Sequence, residues 1–422
     1  MTALPRRHLL QFSRKIFPGE ETDIRIREVV TALVLALPLA LAAGPAAGRE
    51  IAGKQSFSGE VVVPKGETWK VHPGAEVRFR GGRWVVRGRL LVEGTAARPV
   101  RIAGDDAFDG IDVRGEDGMR AEHAVIEGGR RGVALTGAKA AFLRVRFERN
   151  GVGLDVGQYA RADLEACAFD GNGRVGLLVK RGGSAEVRET RFDGAGKAGA
   201  YVHGADDVAF RDCRFEGGAV GLLAGMSGAR VRVEKSVFRG NGTGILVEKM
   251  AAPDISGCEV SGNETGFLFT RRAEGTVSAC RIEENGDGVI VEYSSYPVFR
   301  GNAFRGNRGM AVRLRHQSSA WEGEATDADR EGFAGAGSFG RDGESRGDFR
   351  PPSAPGTRIP GKSGIPPRIG LDGTVDFREN EWGEMGEQVA RGGNVAGIHD
   401  GLDEPYFEDK GKRYRMDVVR LK

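Results

Sequence analysis

Aromatic residues make up only 7% of this chain, and its 422 residues include just four cysteines and six histidines. Four cysteines without a Cys-x-x-Cys pair exclude a zinc ribbon and a dense disulfide scaffold. Beyond residue 48 no stretch sustains an apolar period of 3.6 residues, so helix should be scarce. No basic stripe interleaved with aromatics is present, and nothing points to nucleic acid. Net charge is small as well, +3 overall; the first 48 residues hold six Lys/Arg against four Asp/Glu, so the remainder is close to neutral. Long hydrophobic runs are missing, with one exception. Val29 to Gly44 is uncharged and almost wholly apolar, 16 residues interrupted by Pro38, short for a membrane span and suited to a signal-peptide core. Ala40-x-Ala42 and Ala46-x-Gly48 offer small-residue cleavage sites, and no cysteine lies beside them to take a lipid. Residues 1–48 therefore read as a signal-peptide region. The mature chain is expected to be periplasmic or secreted, with no membrane span.

What the chain has in quantity is glycine, 67 residues, and much of it recurs at fixed spacing. An aromatic or aliphatic column reads Ile126, Phe147, Phe169, Phe192, Phe215, Phe238, Val260, Ile282, Phe304, with steps of 21 to 23 residues. Three residues after most members stands a turn residue, often Asn (Asn150, Asn172, Asn241, Asn263, Asn285, Asn307). A corner Gly follows (Gly153, Gly176, Gly199, Gly221, Gly244, Gly266, Gly288) and then a short apolar strand such as Leu177-Leu178-Val179. Two further columns precede the aromatic one. The first is small (Cys167, Thr190, Cys213, Ser236, Cys258, Cys280) and the second apolar (Phe142, Leu164, Val187, Phe210, Val233, Ile255, Val277, Phe299). Parallel coils about 4.8 Å apart would set like on like: Phe over Phe and Asn amide against Asn amide. The turn Asn is expected to adopt a left-handed backbone, and the corner Gly to supply a positive φ.

Three short strands and three bends per coil of about 22 residues resemble the right-handed parallel β-helix repeat of the pectate-lyase-like superfamily, including the repeats of the periplasmic nitrous-oxide-reductase maturation protein. The resemblance covers residues 57–315 and 370–400. It implies an all-β, single-stranded solenoid and names no reaction, because the repeat serves many chemistries. The expected organisation is a signal region to residue 48, an N-terminal cap and first coils over 49–115 that do not fit the register, and regular coils over 116–315. A Gly/Ser/Pro-rich insertion over 316–372 and a last coil with C-terminal cap over 373–422 complete it. Phe377 and Asn380 are read as rejoining the aromatic column of Phe304 and its turn Asn, and Asn380-Glu381-Trp382-Gly383 looks like the closing element of many such proteins.

Candidate chemistry is thin. The position two residues after each corner Gly should face outward, and it reads Ala134, Asp155, Leu178, Tyr201, Leu223, Leu246, Leu268, Ile290. Apart from Asp155 this row is apolar, which speaks against a sugar-cleaving groove with paired carboxylates on that face. Leu178, Tyr201, Leu223, Leu246, Leu268 and Ile290 are the candidate binding strip, either docking a glycan or an envelope protein or lying under the 316–372 insertion through Trp321, Phe333, Phe339 and Phe349. The cysteines read chiefly as core filling, with a Cys258–Cys280 disulfide as the alternative. His203, Met226 and Met250 are soft ligands too few to define a metal site, and acidic turns such as His399-Asp400-Gly401-Leu402-Asp403-Glu404 are common without binding calcium. No catalytic residue, cofactor or metal is assigned. The reading is an exported, non-catalytic binding or structural module of the envelope or extracellular space. The alternatives are a polysaccharide lyase, hydrolase or epimerase and an accessory factor for maturation of a periplasmic metalloenzyme.

Overall fold

The computed structural model describes residues 48–226, 228, 230–324, 368–409 and 411–422. The chain is a right-handed parallel β-helix of about 11 turns, nearly all β. Each coil contributes a strand to three walls, for example Lys139–Leu143 to the first, Arg146–Glu148 to the second and Val152–Val156 to the third. Every strand pairs in parallel with its counterpart one coil on, so Phe147 faces Phe169, Leu154 faces Leu177, and Phe142 faces Leu164.

The bore is filled by side chains in columns. Phe147, Phe169, Phe192, Phe215 and Phe238 are fully buried and stack with centroids 4.5 to 4.8 Å apart and planes within 8° of parallel. That spacing is the strand spacing itself, so ring attraction and backbone hydrogen bonding reinforce each other. The turn asparagines make a second ladder. Nδ2 of Asn241 donates to Oδ1 of Asn263, Asn263 to Asn285 and Asn285 to Asn307 at 3.0 to 3.1 Å, and each amide also reaches a wall carbonyl, as Asn263 does at Phe238. The backbone N–H of each donates into the same acceptor above it.

Two details differ from the sequence reading. The left-handed residue of this bend is not the Asn but the one before it: Arg149, Gly171, Gly194, Gly217, Gly240, Gly262, Glu284 and Gly306 all have φ between 49° and 66°. With the turn of hand taken one residue earlier, the Asn side chain points into the wall instead of outward. Nor does the corner Gly carry a positive φ. It is required because the coils approach too closely for a Cβ, which on Gly176 would lie 2.5 Å from the Gly199 carbonyl oxygen and 3.2 Å from the Phe192 ring. The cysteine column is likewise more than filling. It forms the ladder of the other bend, where Cys167 N–H donates to Thr190 Oγ1, Cys213 to Ser236 Oγ, Cys258 to Cys280 Sγ and Cys280 to Asn302 Oδ1. All four thiols are free and buried, and burial pushes Cys167 up to about 11 and Cys213 up to about 12.

The ends also differ. Residues 54–115 are full coils of the same three walls, with Phe57 facing Phe79, Trp69 facing Leu90, and Trp84 facing Ile111. Their period is hidden because Lys54–Val63 and Glu76–Val86 run unbroken through the corner between two walls, with a register shift at Ser58/Glu60. Arg49 lies 5.1 and 5.0 Å over the Phe57 and Trp69 rings at this end. At the other end Phe377 does not continue Phe304. It stacks on Phe299 at 4.5 Å, Asn380 takes up the Asn302 ladder, and Trp382 stacks on Phe304 at 4.6 Å. A Phe three residues before an Asn occurs at both bends, so the spacing alone does not tell the columns apart. Within the 316–372 segment, Ser319–Glu324 is a short helix, and residues 325–367 lie outside the described residues.

Substitution separates the two glycine roles. Gly171→Ala, open to solvent but left-handed, is expected to cost about 1 kcal/mol, and Gly176→Ala about 3 kcal/mol because backbone must move. Urea midpoints of the two variants check the order, and equal shifts would refute the close-approach account.

Candidate functional site

The outward face of the third wall carries the candidate strip. In register, Ala134, Asp155, Leu178, Tyr201, Leu223, Leu246, Leu268, Ile290 and Arg313 stand above one another. Alternation along the strand explains the placement, since Leu177 and Val179 point into the bore while Leu178 between them points away. The strip forms its own apolar cluster with Val152, Val175, Ala198 and Val220, separate from the bore. Its members are nonetheless buried: Leu223 is 0% exposed, Leu178 1%, Leu246 and Ile290 5%, Tyr201 7%, with Leu268 half-buried. Charge brackets it, with Asp155 held by Lys180 and Arg131 at one end and Arg313 by Asp287 at the other.

Of the aromatics proposed to lie over it, Phe333, Phe339 and Phe349 fall outside the described residues. Trp321 packs elsewhere, with Phe407, Tyr414 and Met416, and its indole N–H donates to Asp409 at 3.2 Å. There, Tyr293, His316, Trp321 and Phe407 line a cavity of about 90 Å³ with Glu408 and Asp409 on its rim.

The soft ligands are near one another in sequence register but do not assemble a set. His203 stands on the row flanking the strip, and its Nδ1 pairs with the Tyr201 hydroxyl at 2.6 Å. Met226 and Met250 sit at left-handed bends of later coils. Among the described residues no three His, Cys, Asp or Glu side chains come together to hold a metal ion. The acidic turn near the C-terminus is used structurally, with Asp400 accepting the backbone N–H of Leu402 at 2.8 Å and of Val419 at 2.7 Å.

An acidic ladder on the second wall escaped the sequence reading. Glu127, Glu148, Asp170, Asp193 and Glu216 occupy one outward row in five consecutive coils. Like charges so spaced repel, and arginines two residues earlier on the same face offset them. Arg146 pairs with Glu148, Arg214 with Glu216, and Arg191 bridges Asp170 and Asp193 at 2.7 Å each. Arg101 and Arg149 both hold Glu127. Burial, with Glu148 and Asp193 alongside, raises the Asp170 carboxyl. The signal was present in the repeated Arg-Phe-acid triplets (Arg146-Phe147-Glu148, Arg191-Phe192-Asp193, Arg214-Phe215-Glu216), read down the axis instead of along the strand.

Burial, followed by the nearby Lys249 charge, holds the His203 imidazole below its usual range. Folding therefore favours the neutral ring, and the stability it contributes is complete above about pH 6.5 and lost as the pH falls below that value. His203→Gln is expected to flatten the decline of the thermal midpoint between pH 7 and 5. An unchanged slope would count against it.

Residues 171–329 match the family described as periplasmic copper-binding protein (NosD), which is less than half of the chain. A search of the curated proteins finds none that matches. Among solved structures, the A-module of the Azotobacter vinelandii mannuronan C-5 epimerase AlgE4 aligns at 14% identity and a TM-score of 0.45, over 59% of this chain and 83% of that one. The AlgE6 A-module from the same organism aligns at 14% identity and a TM-score of 0.37, over 66% and 83%. The chain is a right-handed parallel β-helix repeat protein whose coils over 171–329 are similar to those of NosD.

Proposed function

We propose that this chain is an exported β-helix serving the cell envelope as a non-catalytic binding or structural module. The observation that carries this reading is the state of its carboxylates. The outward acids best placed for acid–base work, Glu127, Glu148, Asp170, Asp193 and Glu216, are each locked to one or more arginines. A general acid needs its proton at working pH, and an arginine pair favours the ionised form. The apolar run over Val29 to Gly44 supports export. It lies outside the described residues, and no helix among those described is long and apolar enough to cross a membrane.

The NosD match favours one variant of this reading, an accessory factor that acts beside a periplasmic enzyme. Copper, named in that family's description, does not fit the residues described here. The four thiols are buried in bend ladders, and Cys167 and Cys213 are raised well above neutrality. His203 has one nitrogen engaged by Tyr201 and no partner set around it. The accessory role is accordingly read as one of protein contact.

The test is a glycan array paired with a depolymerisation and epimerisation screen on the mature chain, covering neutral and uronate polysaccharides. Binding, or no interaction, without turnover is expected. Any chain shortening, unsaturated product or inverted sugar would overturn the non-catalytic reading.

A further inference from the structure

Asp155 is the one polar residue that interrupts the outward row before its apolar run begins, and it is only 4% exposed. Its Oδ2 accepts from Lys180 Nζ at 2.8 Å and from Arg131 Nη1 at 3.5 Å, while its buried Oδ1 has no hydrogen-bond partner. Nε of Arg131, also buried, has none either. Both atoms belong to residues that line a cavity of about 120 Å³. Arg130, Arg131, Arg174 and Lys180 surround it, with Val152 and Leu178 as an apolar floor. A carboxylate oxygen in this setting is an acceptor only, so what completes it must bring a donor. The guanidinium Nε beside it is a donor only and calls for an acceptor. A lining with four cations and one carboxylate disfavours a metal cation and favours an anion. The volume equals about four waters, enough for a compact organic acid.

We propose that this basin binds a small hydroxylated carboxylate, with the acid group on Arg131 and Lys180 and the hydroxyl donating to Asp155 Oδ1. The apolar floor takes the carbon skeleton. A 2-hydroxy acid presents acceptor and donor on adjacent carbons, as the neighbouring Arg131 Nε and Asp155 Oδ1 require. This site stands or falls independently of whether the chain engages a glycan.

The experiment is calorimetric titration of the mature chain with lactate and glycerate, alongside propionate, which has the charge but lacks the hydroxyl, and lactamide, which has the hydroxyl but lacks the charge. Saturable binding of the hydroxy acids is expected, about tenfold or more tighter than either control. Asp155→Leu extends the apolar row that follows it and should fold, which a thermal melt verifies. This variant should bind lactate and propionate alike. Equal affinity of the native chain for lactate and propionate would overturn the proposal, as would no binding of either hydroxy acid, the result expected if the basin holds water alone. A preference for lactate that survives in Asp155→Leu would overturn the role given to Asp155.

Discussion

Equivalent residues of successive coils face one another across a parallel ladder, about 4.8 Å apart, and this register governs the rest of the molecule. At that distance Phe rings stack with their planes nearly parallel, and Asn amides close into a continuous chain of hydrogen bonds. Each ladder is worth little per rung, and its strength lies in repetition, since every rung leaves the next one an acceptor in place. The same spacing is unforgiving. It brings the Gly176 and Gly199 backbones too close for any side chain, and it sets Glu127, Glu148, Asp170, Asp193 and Glu216 in a file of like charge. Arginines crossing between rungs, as Arg191 does between Asp170 and Asp193, are what make that file tolerable.

The three walls were legible in the sequence because a fixed coil length prints each column at a constant interval, from Ile126 to Phe304. Legibility failed where the interval did. Between Lys54 and Val86 long strands pass through a corner that later coils take as a bend, so Phe57, Phe79, Trp69 and Leu90 have correct partners but no visible period. At the C-terminus the ambiguity was of another kind: Phe377 and Asn380 match two columns equally by spacing, and only contact with Phe299 and Asn302 decides between them. Glycine misled for a third reason. A recurrent Gly signals either a left-handed backbone or a close approach, and sequence does not distinguish Gly171, which is the former, from Gly176, which is the latter.

The outward chemistry was harder to read than the inward, and for a physical cause. Inside the bore a side chain's environment is its own column, so residue type and contact are nearly the same information. On an outer face a residue meets neighbours two positions along the strand as well as one coil away. The Tyr201–His203 pair and the Arg146–Glu148 pair are contacts of the first kind, and the Lys180–Asp155 pair lies one coil on. Asp155 was visible as the odd member of its row, but its orphaned oxygen and the basic lining around it exist only once three coils are stacked.

A rigid register also bears on what such a chain can do. Because coil follows coil without freedom to slide, an outward row keeps whatever pattern its sequence writes, and the third wall writes a buried apolar run closed at both ends by charge pairs. Leucines in such a row satisfy one another by area alone and impose no direction. The buried carboxylate at Asp155 is different, since an acceptor removed from water without a donor is unfavourable wherever it stands. The NosD-like coils begin at residue 171, one rung beyond it, so Arg174, Leu178 and Lys180 come from the matched part of the chain and Asp155, Val152 and Arg131 from the part before it. The basin is thus built across that seam, from rungs on both sides, and its selectivity belongs to the stacking and not to either set of coils alone.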